Sequence, residues 1–273
     1  MKSRVTITLM PDIIKKVDDI VAREQIINRS SAIERILREY FNPKTELSAV
    51  VLAGGKGTRL RPLTYEVPKS MIPVKGKPIL EYIIQRLKDA GISNIMISIG
   101  YLGEKIQKYF GDGSAFGVKI KYLGEETPLG TGGALKRFQY LFHDTIVVVN
   151  GDNLFDFDIS QIYAFHRAEK ASATIAVVNS NDTSSFGVVE MNGNKIISFV
   201  EKPSGEQNSH LVNAGVYVLN PSVLSLLPEG VSNTSELFQK LAAKNMLTGF
   251  VCSGKWFPCD NMQLYEKALK GWP

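Results

Sequence analysis

Long apolar runs are missing from this 273-residue sequence. None approaches the roughly 18 residues that a membrane-spanning helix needs, so no membrane partner is expected. Cysteine is scarce. Cys252 and Cys259 are the two present, too few for a disulfide framework and without metal-site spacing. Both are expected as small reduced residues in or near the core. The three histidines, His143, His166 and His210, are scattered, and each is expected on the surface or in a loop rather than as a ligand. The first residues mix charge with apolar side chains, unlike a secretory leader, which makes the cytoplasm the expected location. Neither low-complexity segments nor internal repeats occur. The positive excess is small, +5; it suits anionic ligands without establishing nucleic-acid binding. What is present, 44% hydrophobic and 22% charged residues, is ordinary for a globular protein.

The most informative stretch begins as a short apolar run, Ala49-Val50-Val51-Leu52, and then breaks into Ala53-Gly54-Gly55-Lys56-Gly57-Thr58-Arg59-Leu60-Arg61-Pro62. The run reads as a buried strand. Glycines after a strand let the backbone turn sharply and let a ligand approach its N–H groups, and cations beside them suit a polyphosphate. The stretch is neither a P-loop nor the dinucleotide G-x-G-x-x-G pattern, because Leu60 stands where the third glycine would be.

Downstream, helical and strand-like patterns alternate. Helices are expected over residues 79–90, 101–110 and 131–141, and strands over 94–99, 118–123 and 145–150. The second half reads as strands at 173–178, 187–190, 195–201 and 215–219, with an Asn192-Gly193 hairpin turn. Helices follow near 221–227, 234–244 and 261–269. The expected fold is therefore α/β: a doubly wound, mostly parallel Rossmann-like sheet with an added antiparallel layer, over residues 47–273. Such sheets bind ligands beyond the carboxyl ends of their strands. The glycine loop and Gly151-Asp152 both fall at such ends.

The run Leu52-Ala53-Gly54-Gly55-Lys56-Gly57-Thr58-Arg59-Leu60-Arg61-Pro62-Leu63-Thr64, followed by Pro68-Lys69, resembles the signature of the sugar-phosphate nucleotidyltransferases. The resemblance covers about residues 47–270, and no left-handed β-helix, found on some members, is expected after it. It implies that a nucleoside triphosphate and a sugar 1-phosphate are the substrates and that Mg²⁺ is the cofactor. By resemblance Leu52, Ala53, Gly54, Gly55, Gly57 and Thr58 bind the nucleotide. Arg59 and Lys69 contact the triphosphate and stabilise the transferring centre, whereas Lys56 and Arg61 hold variable positions. Asp152 carries the metal, a hard cation that seeks oxygen ligands. Asp260, in Asp260-Asn261, is the second metal ligand or else the cap of the last helix. Glu201-Lys202-Pro203 matches the family's E-K-P, in which the lysine holds the sugar phosphate and the glutamate a sugar hydroxyl. Asn213 and Gly187 match further sugar contacts. Glu125, Gly130 and Thr131 fall in the base-side motif. Glu125 accepts hydrogen bonds only, which favours guanine slightly, while Gly151-Asp152-Asn153 favours the thymidylyl branch.

Residues 1–43 differ in character. Residues 4–9 alternate polar and apolar like a half-buried strand. Pro11 opens a helix expected over about 12–24. Ser31 and Glu34, with Ser30 as a rival cap, open a second helix reaching about Phe41. So short a segment buries little alone. It resembles the ribbon-helix-helix repressors, whose strands pair across a homodimer. That resemblance turns Arg4, Thr6 and Thr8 toward DNA and Val5, Ile7 and Leu9 toward the core. Eight Lys or Arg against six Asp or Glu leave the segment at +2, weak for a DNA binder, so an assembly arm without DNA is the competing expectation. For the whole chain, the alternative to an enzyme is a transcriptional regulator whose transferase-like part senses sugar nucleotides without turnover.

Overall fold

The computed structural model describes residues 6–23, 27–41, 47–125 and 127–273. The chain separates into two compact units, Met1–Thr45 and Glu46–Pro273.

The first unit contains α1 (Pro11–Arg23) and α2 (Arg29–Phe41). Proline fits the first turn of α1, where no N–H partner is needed. Val17 and Ala32 are buried between the helices. Arg29 and Asp18 form a two-pronged ion pair, Nε–Oδ1 2.5 Å and Nη2–Oδ2 2.6 Å. It is exposed, so it orients the helices more than it stabilises them. The cap of α2 is Asn28, whose Oδ1 accepts from the Ser31 N–H at 2.9 Å. The capping role expected of Ser31 or Ser30 is therefore filled one turn earlier. Residues 6–10 carry no strand pairing, and Arg4 and Val5 lie outside the described residues. Thr6 and Thr8 are exposed, as are Ile7 (51%) and Met10 (71%).

The second unit holds the strands β1 (Ser48–Leu52), β2 (Pro73–Val74), β3 (Lys77–Pro78), β4 (Asn94–Ile99), β5 (Lys119–Gly124), β6 (Ile146–Asn150), β7 (Asn153–Phe155), β8 (Ala173–Asn179), β9 (Gly187–Asn192), β10 (Lys195–Glu201), β11 (Leu211–Leu219), β12 (Leu247–Val251) and β13 (Trp256–Pro258). Its helices are α3 (Ile79–Asp89), α4 (Gly103–Phe110), α5 (Gly130–Arg137), α6 (Ile159–Ala168), α7 (Thr234–Ala243) and α8 (Met262–Gly271). Nine strands form one sheet in the order β5-β4-β1-β6-β11-β8-β12-β10-β9. β1 lies parallel between β4 and β6, with Val51 opposite Ile97 and Val149. Side chains alternate across the sheet. Val51 and Val149 face a core that includes Ile83 and Leu87 of α3, and Val50 and Val148 face another that includes Leu237 and Phe238 of α7. Burial on both faces explains why these strands are almost wholly apolar.

The sheet is mixed rather than mostly parallel. β11 runs antiparallel to β6 and β8, and β10 runs antiparallel to β12 and β9. These strands continue the same sheet and do not form a layer over it. β11 changes register against β8 between Asn213 and Tyr217. Local boundaries also shift. Leu102 takes a left-handed conformation and delays α4 to Gly103, and α5 ends at Arg137 before a separate turn, Gln139–Leu141.

The short strands β2, β3, β7 and β13 fall outside the expected set, and so do two longer elements, β12 and α6. β12 carries Gly249 in its interior, which weakens a strand pattern. α6 carries His166, which is buried at 3% exposure and so departs from the surface position expected of it. Its Nε2 lies 3.3 Å from Asn220 Oδ1 and its Nδ1 2.9 Å from the Thr174 hydroxyl. Burial holds the imidazole below its ordinary 6.5, and the Asn220 hydrogen bond offsets only part of that.

This shift generates a prediction. The folded chain binds fewer protons than the unfolded chain just below pH 6.5, so the contribution of His166 is complete above 6.5 and declines as the pH falls. Each unit of depression corresponds to about 1.4 kcal/mol. Urea unfolding of the wild type should show lower stability near pH 5 than above 7, and His166→Gln should flatten the profile. Equal losses in the two proteins would place the acid sensitivity elsewhere.

Candidate active site

The carboxyl ends of β1, β4 and β6 deliver Ala53, Gly100 and Gly151 to one edge of the sheet. The Ala53 N–H bonds to the Ser98 carbonyl and the Gly151 N–H to the Leu52 carbonyl, both at 2.9 Å. Beyond β1 the chain turns at Gly57, whose φ of +60° favours glycine. A Cβ there would lie 2.8 Å from Thr64 Cγ2 and 3.0 Å from Lys69 Cβ. The glycine therefore lets the loop close onto Lys69. The Thr64 hydroxyl secures that closure by donating to the Gly57 carbonyl at 2.7 Å. Leu60 is fully buried and pins the loop, while the half-exposed Arg59 beside it reaches into the cleft toward Asp260.

At the cleft floor the Lys69 ammonium donates to both Asp152 Oδ2 and Asp260 Oδ1. Arg59 Nη2 lies 3.1 Å from the same Asp260 oxygen. A short ribbon brings the two aspartates together. β7 pairs antiparallel with β13, Asn153 opposite Pro258, and the Cys259 N–H donates to the Asp152 carbonyl at 2.9 Å. The cap of α8 is Asn261, whose Oδ1 accepts from the Leu264 N–H at 2.9 Å, so Asp260 faces Lys69 instead. Burial alone would raise the Asp260 carboxyl; the charge and hydrogen bond of Lys69, with Arg59 and Lys202 nearby, hold it below its ordinary range. Burial would likewise lower Lys69, and the two carboxylates reverse this and raise it.

Two carboxylate oxygens that meet one cation fit a hard divalent ion. Among the described residues no group of three or more His, Cys, Asp or Glu forms a metal cage. Mg²⁺ does not require one, since it is held by one or two carboxylates together with substrate phosphates and water. Asp152 and Asp260 are the residues that would hold it.

Two hollows meet at this floor. The first, 330 Å³, is lined by Leu52, Ala53, Gly54, Gly55, Gly57, Thr58, Arg59, Lys69, Glu125, Gly130, Thr131, Asp152 and Asp260. The second, 460 Å³, is lined by Gly187, Glu201, Lys202 and Asn213, again with Arg59, Thr131, Asp152 and Asp260. The candidates from the larger unit thus fall on one continuous cleft. Glu125 accepts from the Ser98 hydroxyl at 2.5 Å and from the Leu129 N–H at 3.0 Å. Lys202 follows β10 with a φ of +44° and bonds through its N–H to the Phe186 carbonyl at 3.1 Å.

Several lining residues lie outside the set expected from the sequence. Asn150, at the end of β6, lines both hollows, and Ser98 lines the first. Asn153, Tyr217, Trp256, Asn233, Thr234 and Ser235 line the second. Asn233 is held by a capping box with Glu236 at the start of α7, a pattern of Asn followed three residues later by Glu that the sequence does display.

The glycines of the Pro128-Leu129-Gly130-Thr131-Gly132-Gly133 run have a packing role. The N–H groups of Gly132 and Gly133 both donate to the Ser232 carbonyl, at 2.9 and 3.1 Å. Thr131 Oγ1 accepts from the Thr234 N–H at 2.9 Å. A Cβ on Gly133 would lie 2.2 Å from the Gly230 carbonyl oxygen. In an unhindered helix, Gly→Ala gains about 1 kcal/mol. Here Gly133→Ala should instead lower stability by about 2 kcal/mol or more in urea unfolding, because backbone must move. A stabilised variant would show that the two segments separate freely.

Residues 48–268 match the Nucleotidyl transferase family, and residues 3–42 match the ribbon-helix-helix proteins of the copG family. The chain is 39% identical to a mannose-1-phosphate guanylyltransferase of Mycobacterium tuberculosis, over 77% of this chain and 60% of that protein. It is 36% identical to a UTP–glucose-1-phosphate uridylyltransferase of Synechocystis, over 82% and 63%. It thus spans about three fifths of the length of these two relatives. A third, the D-glycero-alpha-D-manno-heptose 1-phosphate guanylyltransferase of Aneurinibacillus thermoaerophilus, is 34% identical over 82% of this chain and 97% of its own. Among solved structures, a Bacillus anthracis protein described as a glucose-1-phosphate thymidylyltransferase superposes with a TM-score of 0.76 at 28% identity, over 82% of this chain and 94% of that one.

Proposed function

The chain belongs to the nucleotidyl transferase family, and from that premise we propose that it transfers a nucleoside monophosphate from a nucleoside triphosphate to a sugar 1-phosphate. The observation that carries this reading is the pair of hollows sharing a wall of Arg59, Asp152 and Asp260. Two anionic substrates, one per hollow, would meet at that wall. A phosphate oxygen of the sugar phosphate attacks the α-phosphorus. The bond to the bridging oxygen breaks, and pyrophosphate leaves with that electron pair.

The protein's work is positioning and charge stabilisation. The backbone of Gly54, Gly55 and Gly57, with Thr58, cradles the triphosphate. Arg59 and Lys69 offset charge at the transferring phosphorus. Lys202 holds the sugar phosphate, and Glu201, Asn213 and the backbone at Gly187 orient the sugar. Asp152 and Asp260 would hold Mg²⁺, which would supply further neutralisation of the phosphates. The Glu125 oxygens each keep a second lone pair, which supports recognition of adjacent guanine N–H groups. The two guanylyltransferase relatives accord with that preference.

Supplied with both substrates, the protein should release pyrophosphate. GTP should give a higher kcat/KM than dTTP or UTP. Asp152→Asn should reduce kcat on the order of 10²-fold or more while circular dichroism stays unchanged. Near-normal turnover in the folded variant would remove Asp152 from the mechanism.

The small unit supports a second part of the proposal, pairing of two copies through residues 4–9. Ile7, Met10, Ile13 and Leu37 are exposed in the single chain, and an antiparallel partner strand would cover part of that apolar surface while pairing an open edge. A two-stranded ribbon fits the DNA major groove, with Arg4, Thr6 and Thr8 on its outer side. Light scattering should show a dimer for the full chain and loss of mass on deleting residues 1–43, with pyrophosphate release largely retained. A full-length monomer at micromolar concentration would refute the pairing. A dimer without salt-dependent DNA affinity would restrict the unit to assembly.

A further inference from the structure

Lys69 stands where the divalent ion is to be held. Its side chain is 14% exposed, and its ammonium contacts the two carboxylate oxygens that would ligate Mg²⁺. Arg59 reaches one of the same oxygens. Two carboxylates are therefore already answered by two cations. A bare dication entering this cluster would meet both positive charges at close range, and the lysine would have to give up the two acceptors it holds. A triphosphate changes both conditions. It brings negative charge to the wall, and its oxygens are strong acceptors for an ammonium.

We propose that Lys69 is a placeholder for the metal: its ammonium bridges Asp152 and Asp260 in the free protein and swings onto the triphosphate as the divalent ion takes its place. This rests on the assignment of Asp152 and Asp260 as metal ligands. The metal then enters with the nucleotide rather than before it. The free site stays charge-balanced and the aspartates never face each other unpaired. The reluctance of Mg²⁺ to shed water in favour of an all-protein cage acts in the same direction. One side chain thus has two successive partners, and the lysine reaches the transferring phosphates because the metal has displaced it.

The test uses Mn²⁺ alone as the probe, with free metal read by electron paramagnetic resonance in the absence of nucleotide. The full-length wild type should bind Mn²⁺ weakly. Lys69→Met leaves two carboxylates without their bridging cation and should bind it on the order of tenfold or more tightly. Adding Asp152→Asn to that variant should abolish the gain. Where Lys69→Met folds poorly by circular dichroism, Lys69→Gln carries the same measurement. Equal Kd values for the wild type and the Lys69 variant, both weakened by Asp152→Asn, would overturn the exchange while leaving the metal ligands in place. Binding by the Lys69 variant that survives Asp152→Asn would overturn the metal assignment itself, and the exchange with it.

Discussion

Asp152 and Asp260 repel each other, and they stand side by side in a half-closed cleft because Lys69 lies between them. Much of the neighbouring structure serves that contact. Gly57 lets the loop close over the Lys69 side chain. The β7–β13 ribbon fixes the separation of the two aspartates through backbone hydrogen bonds. Asn261 takes the capping duty at α8 and releases Asp260 from it. Removing one partner from a buried charge group costs more than the group itself contributes. The arrangement is thus fixed as a whole.

The same dependence explains the mixed sheet. A sheet with parallel strands alone could supply the glycine loop and the Gly151-Asp152 end, since both need only strands that finish on one edge. It could not easily supply the second hollow. That hollow draws on Gly187, Glu201, Lys202 and Asn213, from β9, β10 and β11. Antiparallel pairing of β11 with both β6 and β8 lets these strands join the sheet directly. The register change within β11 then places Asn213 on the cleft while Tyr217 packs beneath it, their side chains 3.2 Å apart.

The legible parts of the site were those whose chemistry needs particular residue types adjacent along the chain. Leu52 to Lys69, Gly151-Asp152 and Glu201-Lys202-Pro203 are of this kind, and each lies on the cleft. The three-residue ribbon strands have too little length to show a period, so the partnership of Asp152 with Asp260 could be inferred from resemblance but not from pattern. Strand order is non-local in the same way, which is why a separate antiparallel layer was the natural expectation. β12 was hidden by Gly249, where a Cβ would lie 2.7 Å from Met191 Cε. α6 is a different case. Asp158 caps it, and Ile159, Ile162, Tyr163 and His166 recur at helical spacing, so its signal was present in the sequence. His166 masked it, because a histidine on an apolar face reads as polar until its hydrogen-bond partners are known.

Glycine carries two separate meanings in this chain, and sequence alone merges them. In the loop after β1, Gly55 has open space around its Cβ position and lines the first hollow, as expected where a ligand approaches backbone. At Gly132 and Gly133 the space is filled by the segment from Gly230 to Asn233, and both N–H groups are committed to Ser232. These two donors are therefore not offered to a phosphate, although the run looks like an anion-binding helix start. Their effect on the site is indirect. By docking α5 against the segment that leads into Asn233, Thr234 and Ser235, they join a wall of the first hollow to a wall of the second. Thr131, which lines both hollows, receives the Thr234 N–H at that junction. Displacement of either wall must be felt at the other, so the two hollows are mechanically one cleft.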